Sequence, residues 1–392
     1  MSFAEFNHVK ISGISVVVPA QEINIYDEAQ YYNNNIRQID RMRKKVGFFK
    51  RKVVDQDTCA TDLAVNAAEN LFSDLNISKD SIDALIYVHQ VMSYPGVVDA
   101  YEIHHRLCLS ESCIATGVMQ GCAGWVYGLY LCSNLLEAGI HKRVLLLNAD
   151  IPSKNIDLAD RNSAPLFGDA GSATLLDYSE EKVASFYNIT TISDGFDKII
   201  CPSSTGNGAR LRYDLNQNPD SEFNAPLTEK FISKAGYTTN LLHRHLDGDA
   251  VFEFTINRVP AQIKETLHKS FLDYADVAQL CLHQANKQIV QSIAMGLDFP
   301  LDRVNSEVFS TYGNNTMCSI PTVILDLYAK NKQFESKPYL CSGFGNGLVI
   351  ATCVIDLEHC KCGEIKTFVK PEDFKTREQW IEEWKKKVGT AS

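Results

Sequence analysis

The chain has 392 residues, of which 45% are apolar and 22% charged, and its formal net charge is -10. That length supports a large core or two packed halves, and the acidic balance argues against a general nucleic-acid binder. No uninterrupted apolar run is long enough to span a bilayer, so no membrane partner is expected. The first ten residues, MSFAEFNHVK, lack the basic segment and apolar core of a signal peptide. The 12 cysteines are scattered without a short-range framework, which in a chain this long predicts reduced thiols and a cytoplasmic setting.

In chain order, residues 9–19 (VKISGISVVVP) predict a strand that closes at a proline, and 23–36 a polar helix. A basic cluster follows: Arg41, Arg43, Lys44, Lys45, Lys50, Arg51 and Lys52. In an acidic protein such a cluster can mark where an anionic group docks, or it can be a solvated face. Residues 58–75 predict a helix capped by Thr58 or Thr61. Then come a strand over 82–89, a helix over 96–109 and a strand over 113–119. The segment 123–138 (AGWVYGLYLCSNLLEA) is apolar at helical spacing with Gly139 as its stop, and 143–149 predicts a buried strand.

Residues 160–173 predict a loop leading into a strand through several small residues, and 183–193 a further strand. Residues 200–245 lack a clear period and are rich in Asn, Asp, Ser, Gly and Pro. A loop this long is a lid, a partner surface or a flexible insert. Helices are predicted over 251–271, 287–295 and after Asn315, with Pro321 in the first turn of the last. Strands are predicted over 277–282, 304–309, 339–342 and 348–355. The alternation predicts a mostly parallel sheet covered on both faces. The charged tail from Lys361 carries Trp380, Ile381 and Trp384 and predicts a peripheral helix. His359, Cys360 and Cys362 lack a partner pair of ligands at zinc spacing, so no metal is expected there.

Cys122 stands between a strand and a helix, in Gln120-Gly121-Cys122-Ala123-Gly124. Alone, a Cys in an apolar segment packs as a small hydrophobe. At a helix N-terminus its thiol pKa can instead fall to roughly 3.5–7.5. Small neighbours leave room for a substrate, and the backbone N–H groups there can face an oxyanion. Two more polar residues are predicted just after strands: His283 and Asn314. The carboxyl ends of strands in open sheets are where active sites gather. His283 can serve a Cys nucleophile as base or cation. Asn314 can only donate or accept hydrogen bonds, which suits an oxyanion or enolate. Equally, His283 could be structural and Asn314 a turn residue.

Taken together, these segments resemble the thiolase-superfamily condensing enzymes of the beta-ketoacyl-acyl-carrier-protein synthase III type. The resemblance rests on Cys122-Ala123-Gly124-Trp125, on Asp160-Arg161 with Leu166-Phe167-Gly168-Asp169-Ala170-Gly171, and on His283-Gln284-Ala285-Asn286. Tyr312-Gly313-Asn314 with Ser319-Ile320-Pro321, Gly343-Phe344-Gly345-Asn346-Gly347 and the 248–254 segment extend it, so that it spans residues 9–355. It implies an α/β fold of two similar halves in a five-layered αβαβα arrangement. The halves would be 1–178 with Cys122 and 179–392 with His283 and Asn314, with an insert at 200–245 and an extra tail from 356. It also implies a homodimer, acyl-CoA and a malonyl-type thioester on acyl carrier protein as substrates, and no metal or redox cofactor.

On this resemblance Cys122 takes an acyl group from coenzyme A, with the Cys122 and Asn346 backbone N–H groups as the first oxyanion hole. His283 and Asn314 then hold the extender carbonyl through loss of carbon dioxide and formation of a 3-ketoacyl product. Arg161 and Lys45 match positions near the coenzyme A phosphates. Asn286 supports His283 or a water nearby, Phe167 and Gly168 line the pocket, and Tyr94 falls where an aromatic of the partner subunit closes it. The chain departs from the family pattern in several places. It has no Trp near Arg41, Gln288 stands where a basic residue contacts the carrier protein, and Asn346 interrupts an all-glycine turn. With the insert and tail, these departures point to a specialised pathway rather than housekeeping fatty-acid initiation. Two other readings stay open: acyl transfer from Cys122 to an alcohol, amine or second acyl thioester without decarboxylation, and a non-catalytic partner subunit.

Overall fold

A computed structural model describes residues 2–94, 98–161, 163–204, 210–234 and 236–389. The chain opens with β1 (Ser2–Phe6), β2 (Val9–Val18), β3 (Glu22–Asn24), helix α1 (Ile36–Val46) and β4 (Lys50–Lys52). Helix α2 (Ala60–Leu75), β5 (Ala84–His89), α3 (Val98–Arg106) and β6 (Ile114–Met119) follow. Next come α4 (Gly124–Glu137), β7 (Arg143–Asp150), β8 (Ala170–Tyr178) and β9 (Ser185–Thr191). The long stretch beyond holds two-residue strands β10 (Ile199–Ile200), β11 (Ser203–Ser204), β12 (Leu211–Arg212), β13 (Phe231–Ile232), β14 (Thr238–Thr239) and β15 (His245–Leu246). One helical turn, α5 (Ala225–Thr228), interrupts them. Regular structure resumes with α6 (Gly248–Lys269), β16 (Leu280–Leu282), α7 (Lys287–Gly296), α8 (Val308–Tyr312) and α9 (Ser319–Asn331). The chain closes with β17 (Tyr339–Gly345), β18 (Val349–Ile355), β19 (Lys361–Cys362), β20 (Lys366–Thr367) and α10 (Arg377–Val388).

Two sheets organise these elements. One runs β19-β2-β8-β7-β5-β6, with β20 also on β2, and the other runs β1-β9-β18-β17-β16. The two halves repeat a pattern, β2-β8-β7-β5-β6 against β9-β18-β17-β16, followed by Val304, which bridges Leu280 in parallel. The ends are exchanged: β1 extends the second sheet, while β19 and β20 pair with β2 of the first.

Three apolar clusters define the layers. Leu63, Ala67 and Leu71 of α2 and Ile103 of α3 cover one face of the first sheet. Between the sheets lie Val126, Leu129 and Leu136 of α4 with Ile320, Val323 and Ile324 of α9. Val259 and Ile263 of α6 and Val290 and Ile293 of α7 cover the far face of the second sheet. Helix, sheet, helix, sheet, helix is the five-layered α/β arrangement. Helix α4 is apolar on most of its circumference because it is enclosed by both sheets.

The sheets are mixed rather than mostly parallel. Among the main strands only β5 with β6 and β7, and β16 with β17, run parallel, while β2–β8, β7–β8, β17–β18 and β9–β18 are antiparallel. Strands enclosed between helix layers are buried on both faces whichever way they run. A polar helix over 23–36 does not form. Asn33 and Asn34 adopt left-handed backbone, at φ 54° and 55°, and divide a short 3-10 helix (Ile25–Tyr32) from α1, where the Asn35 side chain accepts the Gln38 N–H. The predicted Thr cap of α2 is replaced: Asp62 accepts the Cys59 N–H at 2.7 Å, while the Thr58 hydroxyl donates to Asp55. The predicted 304–309 strand is a single bridge at Val304 before α8.

Candidate active site

Strand β6 delivers Cys122. Its end is held by the Gln120 N–H bonded to the His89 carbonyl at 3.0 Å, and the chain then turns into α4. The second half reaches the same place from β17. A Cβ on Gly343 would stand 2.8 Å from the Ala123 Cα, and one on Gly345 would stand 2.9 Å from the Cys122 Cβ. Real Cβ atoms do not approach so closely, so only glycine lets β17 pass here and carry the Asn346 backbone beside Cys122.

The thiol does not have the lowered pKa that a helix N-terminus suggests. Cys122 is buried, and burial pushes its pKa up to about 12, with the Arg244 guanidinium the main opposing influence. Desolvation outweighs the helix end, so the resting group is a thiol.

His283 follows β16 and is likewise buried. Burial drives its pKa down to about 3, which keeps the imidazole neutral. Its Nδ1 lies 2.9 Å from the Ser319 hydroxyl oxygen, which in turn lies 2.6 Å from the Thr316 carbonyl. One hydroxyl proton cannot serve both neighbours. When it turns to Nδ1, the imidazole proton sits on Nε2, ready to donate. The Phe344 ring stands edge-on to the imidazole at 5.3 Å.

Asn314 occupies the matching place in the second half, after the Val304 bridge and α8 rather than directly after a strand. The Thr316 N–H donates to its side-chain oxygen at 2.9 Å. This fixes the amide orientation and, among the described residues, leaves the Nδ2 group without a partner. Backbone bonds from Asn314 N–H to the Leu166 carbonyl and from Gly168 N–H to the Asn314 carbonyl tie the loop to Phe167.

Cys122, His283 and Asn314 all line one cavity of about 810 Å³, together with Phe167, Asn286 and Asn346. The Asn286 side chain accepts the Ile289 N–H at 2.8 Å as the cap of α7, so its carbonyl oxygen is already engaged. The other expected substrate contacts lie outside the lining. Lys45 is exposed on α1, whose Met42 and Val46 do line the cavity. Arg161 is half-buried beside it, its carbonyl accepting the Tyr32 hydroxyl, while Asp160 and Ser163 form the wall. Tyr94 does not line the cavity of its own chain; its backbone N–H donates to Asp99 at 3.3 Å.

Residues 117–195 match the 3-oxoacyl-[acyl-carrier-protein] synthase III family, and residues 267–357 match the C-terminal region of that family. A Campylobacter jejuni protein, provisionally named a 3-oxoacyl-[acyl-carrier-protein] synthase 3, is 33% identical over 366 residues, covering 93% of this chain and 98% of its own. This chain belongs to the 3-oxoacyl-[acyl-carrier-protein] synthase III family. A beta-ketoacyl-[acyl-carrier-protein] synthase III of Fusobacterium nucleatum is 24% identical over 348 residues, 88% of this chain and 98% of its own. The solved 3-oxoacyl-(acyl-carrier protein) synthase of Burkholderia xenovorans superposes with a TM-score of 0.81 at 28% identity, covering 93% of this chain and 99% of the other. The protein is thus an acyltransferase-type member of the synthase III family, with the thiolase-superfamily fold.

Within this synthase III chain the basic cluster divides. Arg51 forms a buried two-pronged pair with Glu28, Lys50 and Lys52 meet Glu22, and Arg43 stacks on Phe49 at 4.2 Å. Arg41, Lys44 and Lys45 have no ion pair among the described residues and flank the cavity mouth on α1. Two neighbours of these residues were not recognisable from the chain alone. Ser319 was visible only as part of a motif, and its contact with His283 spans 36 residues. Arg244 lies in the aperiodic 200–245 stretch, which turns out to be cavity wall through Phe231, Ser233, Tyr237 and His245.

Proposed function

We propose that this protein forms a 3-ketoacyl product by decarboxylative Claisen condensation of an acyl group on Cys122 with a malonyl-type thioester. The observation that carries the reading is the single cavity shared by Cys122, a neutral His283 and an Asn314 whose free NH₂ group is its only available donor. Two neutral donors on one cavity suit a carbonyl that becomes an enolate.

Cys122 attacks the acyl-CoA carbonyl. The thiol proton passes to the departing coenzyme A sulfur, and the backbone N–H groups of Cys122 and Asn346 hold the oxyanion. The extender carbonyl then accepts from His283 Nε2 and Asn314 Nδ2. Carbon dioxide leaves, the resulting carbanion attacks the Cys122 thioester, and Cys122 departs as thiolate and recovers a proton. A thiol held near pKa 12 is a poor leaving group but a strong nucleophile once deprotonated, which favours loading from a good donor thioester.

Arg161 and the exposed Lys45, Lys44 and Arg41 would hold coenzyme A phosphates at the mouth. A homodimer would use β6, the edge of its sheet. Ile114 and Met119 on that edge and Tyr101 nearby on α3 are all exposed in one chain. An open apolar edge strand is a ready pairing surface, and pairing with a second copy would cover it. In that dimer Tyr94 would face the partner's site; sedimentation as a monomer at micromolar concentration would refute the arrangement. A specialised acyl substrate fits better than a housekeeping one because the 200–245 stretch forms cavity wall.

The test is product analysis with an acyl-CoA and a malonyl thioester, supplied on coenzyme A and on acyl carrier protein. One carbon dioxide released per 3-ketoacyl product supports condensation. Product without carbon dioxide release would place the protein among non-decarboxylating acyltransferases instead. Absence of both product and Cys122 acylation would leave only the partner-subunit role.

A further inference from the structure

The tail crosses the outer edge of the first sheet as a strap. Lys361 and Cys362 of β19 pair with Gly13 and Ile14 of β2, and Lys366 and Thr367 of β20 pair with Val17 and Val18. Lys366 meets Asp74 at 2.8 Å, and the Phe368 N–H bonds to the Val18 carbonyl at 2.8 Å. Two thiols stand where this strap leaves the body. Cys360 is 5% exposed and belongs to the apolar layer between the sheets, while Cys362 is half-buried and packs against the same layer. Their sulfurs are 3.8 Å apart.

All 12 cysteines are free thiols, and this pair differs from the rest. Cys281, Cys341 and Cys353 are register partners across β16, β17 and β18, but each is 0% exposed, so an oxidant does not reach them. Cys108 and Cys201 are exposed, but their sulfurs meet backbone carbonyls. Only access and a neighbouring thiol together allow oxidation to go on to a disulfide. Residues two apart on an extended chain share a face and have Cα atoms about 6.6 Å apart. A disulfide bridges Cα atoms roughly 4.4–6.8 Å apart with an S–S bond of about 2.05 Å. The bond can therefore form here, near the limit of its reach. Closing it draws the chain together and works against the pairing of β19 with β2. A disulfide strained in this way is easily reduced again.

We propose that Cys360 and Cys362 form a reversible oxidation site, in which a peroxide or a small disulfide oxidant closes an intrachain disulfide that loosens β19 from β2. Neither residue lines the cavity, so the inference is independent of the reading of Cys122. Cys362 is the more accessible sulfur and reacts first. Its sulfur takes one peroxide oxygen as the O–O bond breaks, giving a sulfenic acid and one water. The Cys360 sulfur then attacks the Cys362 sulfur. The S–O bond breaks, and the hydroxyl leaves with the Cys360 proton as a second water. Two thiols lose two electrons in all, and one peroxide is reduced. With glutathione disulfide as oxidant, two molecules of glutathione leave instead.

The test is oxidation of the full chain, blocking of the remaining thiols with iodoacetamide in denaturant, and mass spectrometry of the intact protein and its peptides. Brief hydrogen peroxide treatment is expected to remove the mass of two hydrogens and to leave Cys360 and Cys362 linked and unalkylated. Excess reduced glutathione should reopen the bond. With glutathione disulfide, Cys108 and Cys201 should keep a glutathione adduct, while Cys362 carries at least about tenfold less of it, because the adjacent thiol displaces it. Cys360→Ser should abolish the linkage and let the Cys362 adduct persist. Cys362→Ser should abolish the linkage alone, and the wild-type map together with this variant decides if Cys360→Ser does not fold. Amide exchange over residues 361–368 should be several-fold faster in the oxidised protein, as expected for a weakened strand pair. The proposal is overturned if both thiols stay alkylatable after Cys108 and Cys201 have oxidised. It is overturned equally if Cys362 ends as a sulfinic acid or linked to another cysteine. A bond that resists reduced glutathione, or slower exchange after oxidation, would make the pair a fixed crosslink and overturn the reversible loosening.

Discussion

Gly345 runs so close to Cys122 that a Cβ built on it would stand 2.9 Å from the cysteine Cβ and 3.1 Å from its sulfur. Cys122 follows the end of β6 and the glycine ends β17, so this contact joins the two halves at the thiol. It also sets the Asn346 backbone beside Cys122.

The first prediction concerns that contact. Gly345→Ala must displace either β17 or Cys122. A misplacement of about 1 Å at a reacting centre can cost about a hundredfold in rate. Cys122 acylation followed by mass spectrometry should fall by roughly that factor. The coenzyme A mouth, formed elsewhere, should keep its affinity in equilibrium binding. Wild-type acylation in the variant would show that the close approach is incidental.

A second prediction separates the two half-reactions through Ser319. Its hydroxyl lies 2.9 Å from His283 Nδ1 and, when turned from the Thr316 carbonyl to that nitrogen, sets the tautomer that donates from Nε2. Ser319→Ala leaves Nδ1 without that partner, which costs about 1–3 kcal/mol for a buried polar group. Condensation should slow by about tenfold or more, while Cys122 loading stays near wild type. Ser319→Thr, which restores a hydroxyl, should recover part of the loss. Equal slowing of both half-reactions would assign Ser319 a purely structural part.

The pH dependence follows from burial at both groups. With Cys122 pushed up to about 12, alkylation of this thiol by iodoacetamide should rise about tenfold per pH unit from 7 to 9 without levelling. A plateau with a midpoint below pH 8 would mean an activated thiolate. His283, pushed down to about 3, should add no inflection near pH 6.5 to the condensation rate. Its effect on stability has a definite sign. The unfolded chain binds a proton at this group from about pH 6.5 downward and the folded chain does not. Stability from this group is therefore lost as pH falls from about 6.5 towards 3.

The buried Arg51–Glu28 pair supports Asn314 from beneath. Its two bonds are 2.6 and 2.5 Å, and a Cβ on Gly313 would stand 3.0 Å from the Arg51 Cβ. Glu28→Gln leaves Arg51 without its counter-charge and should destabilise the protein by about 3–5 kcal/mol in urea unfolding. A change below about 1 kcal/mol would place this pair with solvent-exposed ones.

That Cys122, His283, Asn314 and Asn346 meet at one cavity was legible because each sits in a short segment whose glycines, turn and flanking apolar run are contiguous in sequence. Phe167 and Asn286 likewise reach the cavity from their motif positions. Strand direction was not legible: antiparallel β8 and parallel β5 are both apolar, because helices cover both faces of each. The Cys122 pKa was misjudged because a helix end is visible in sequence, whereas the desolvation that overrides it comes from packing across two halves. Arg244 and Ser319 carry no local signal, since their partners are more than 30 residues away. Lys45 was read, within a basic cluster, as matching a position near the coenzyme A phosphates. Folding pairs Arg51 with the buried Glu28 and Lys50 and Lys52 with the exposed Glu22, and leaves Lys45 exposed outside the cavity lining.

The most direct measurement is acyl-enzyme mass spectrometry on wild type, Cys122→Ala, His283→Ala and Asn314→Ala, with an acyl donor first and a malonyl thioester added second. The wild type should gain the acyl mass and lose it on extender addition as carbon dioxide appears. Cys122→Ala should gain no mass, and the other two should load but keep the acyl group after the extender arrives. An acyl adduct persisting in Cys122→Ala, or normal discharge in both His283→Ala and Asn314→Ala, would contradict this division of labour within the cavity.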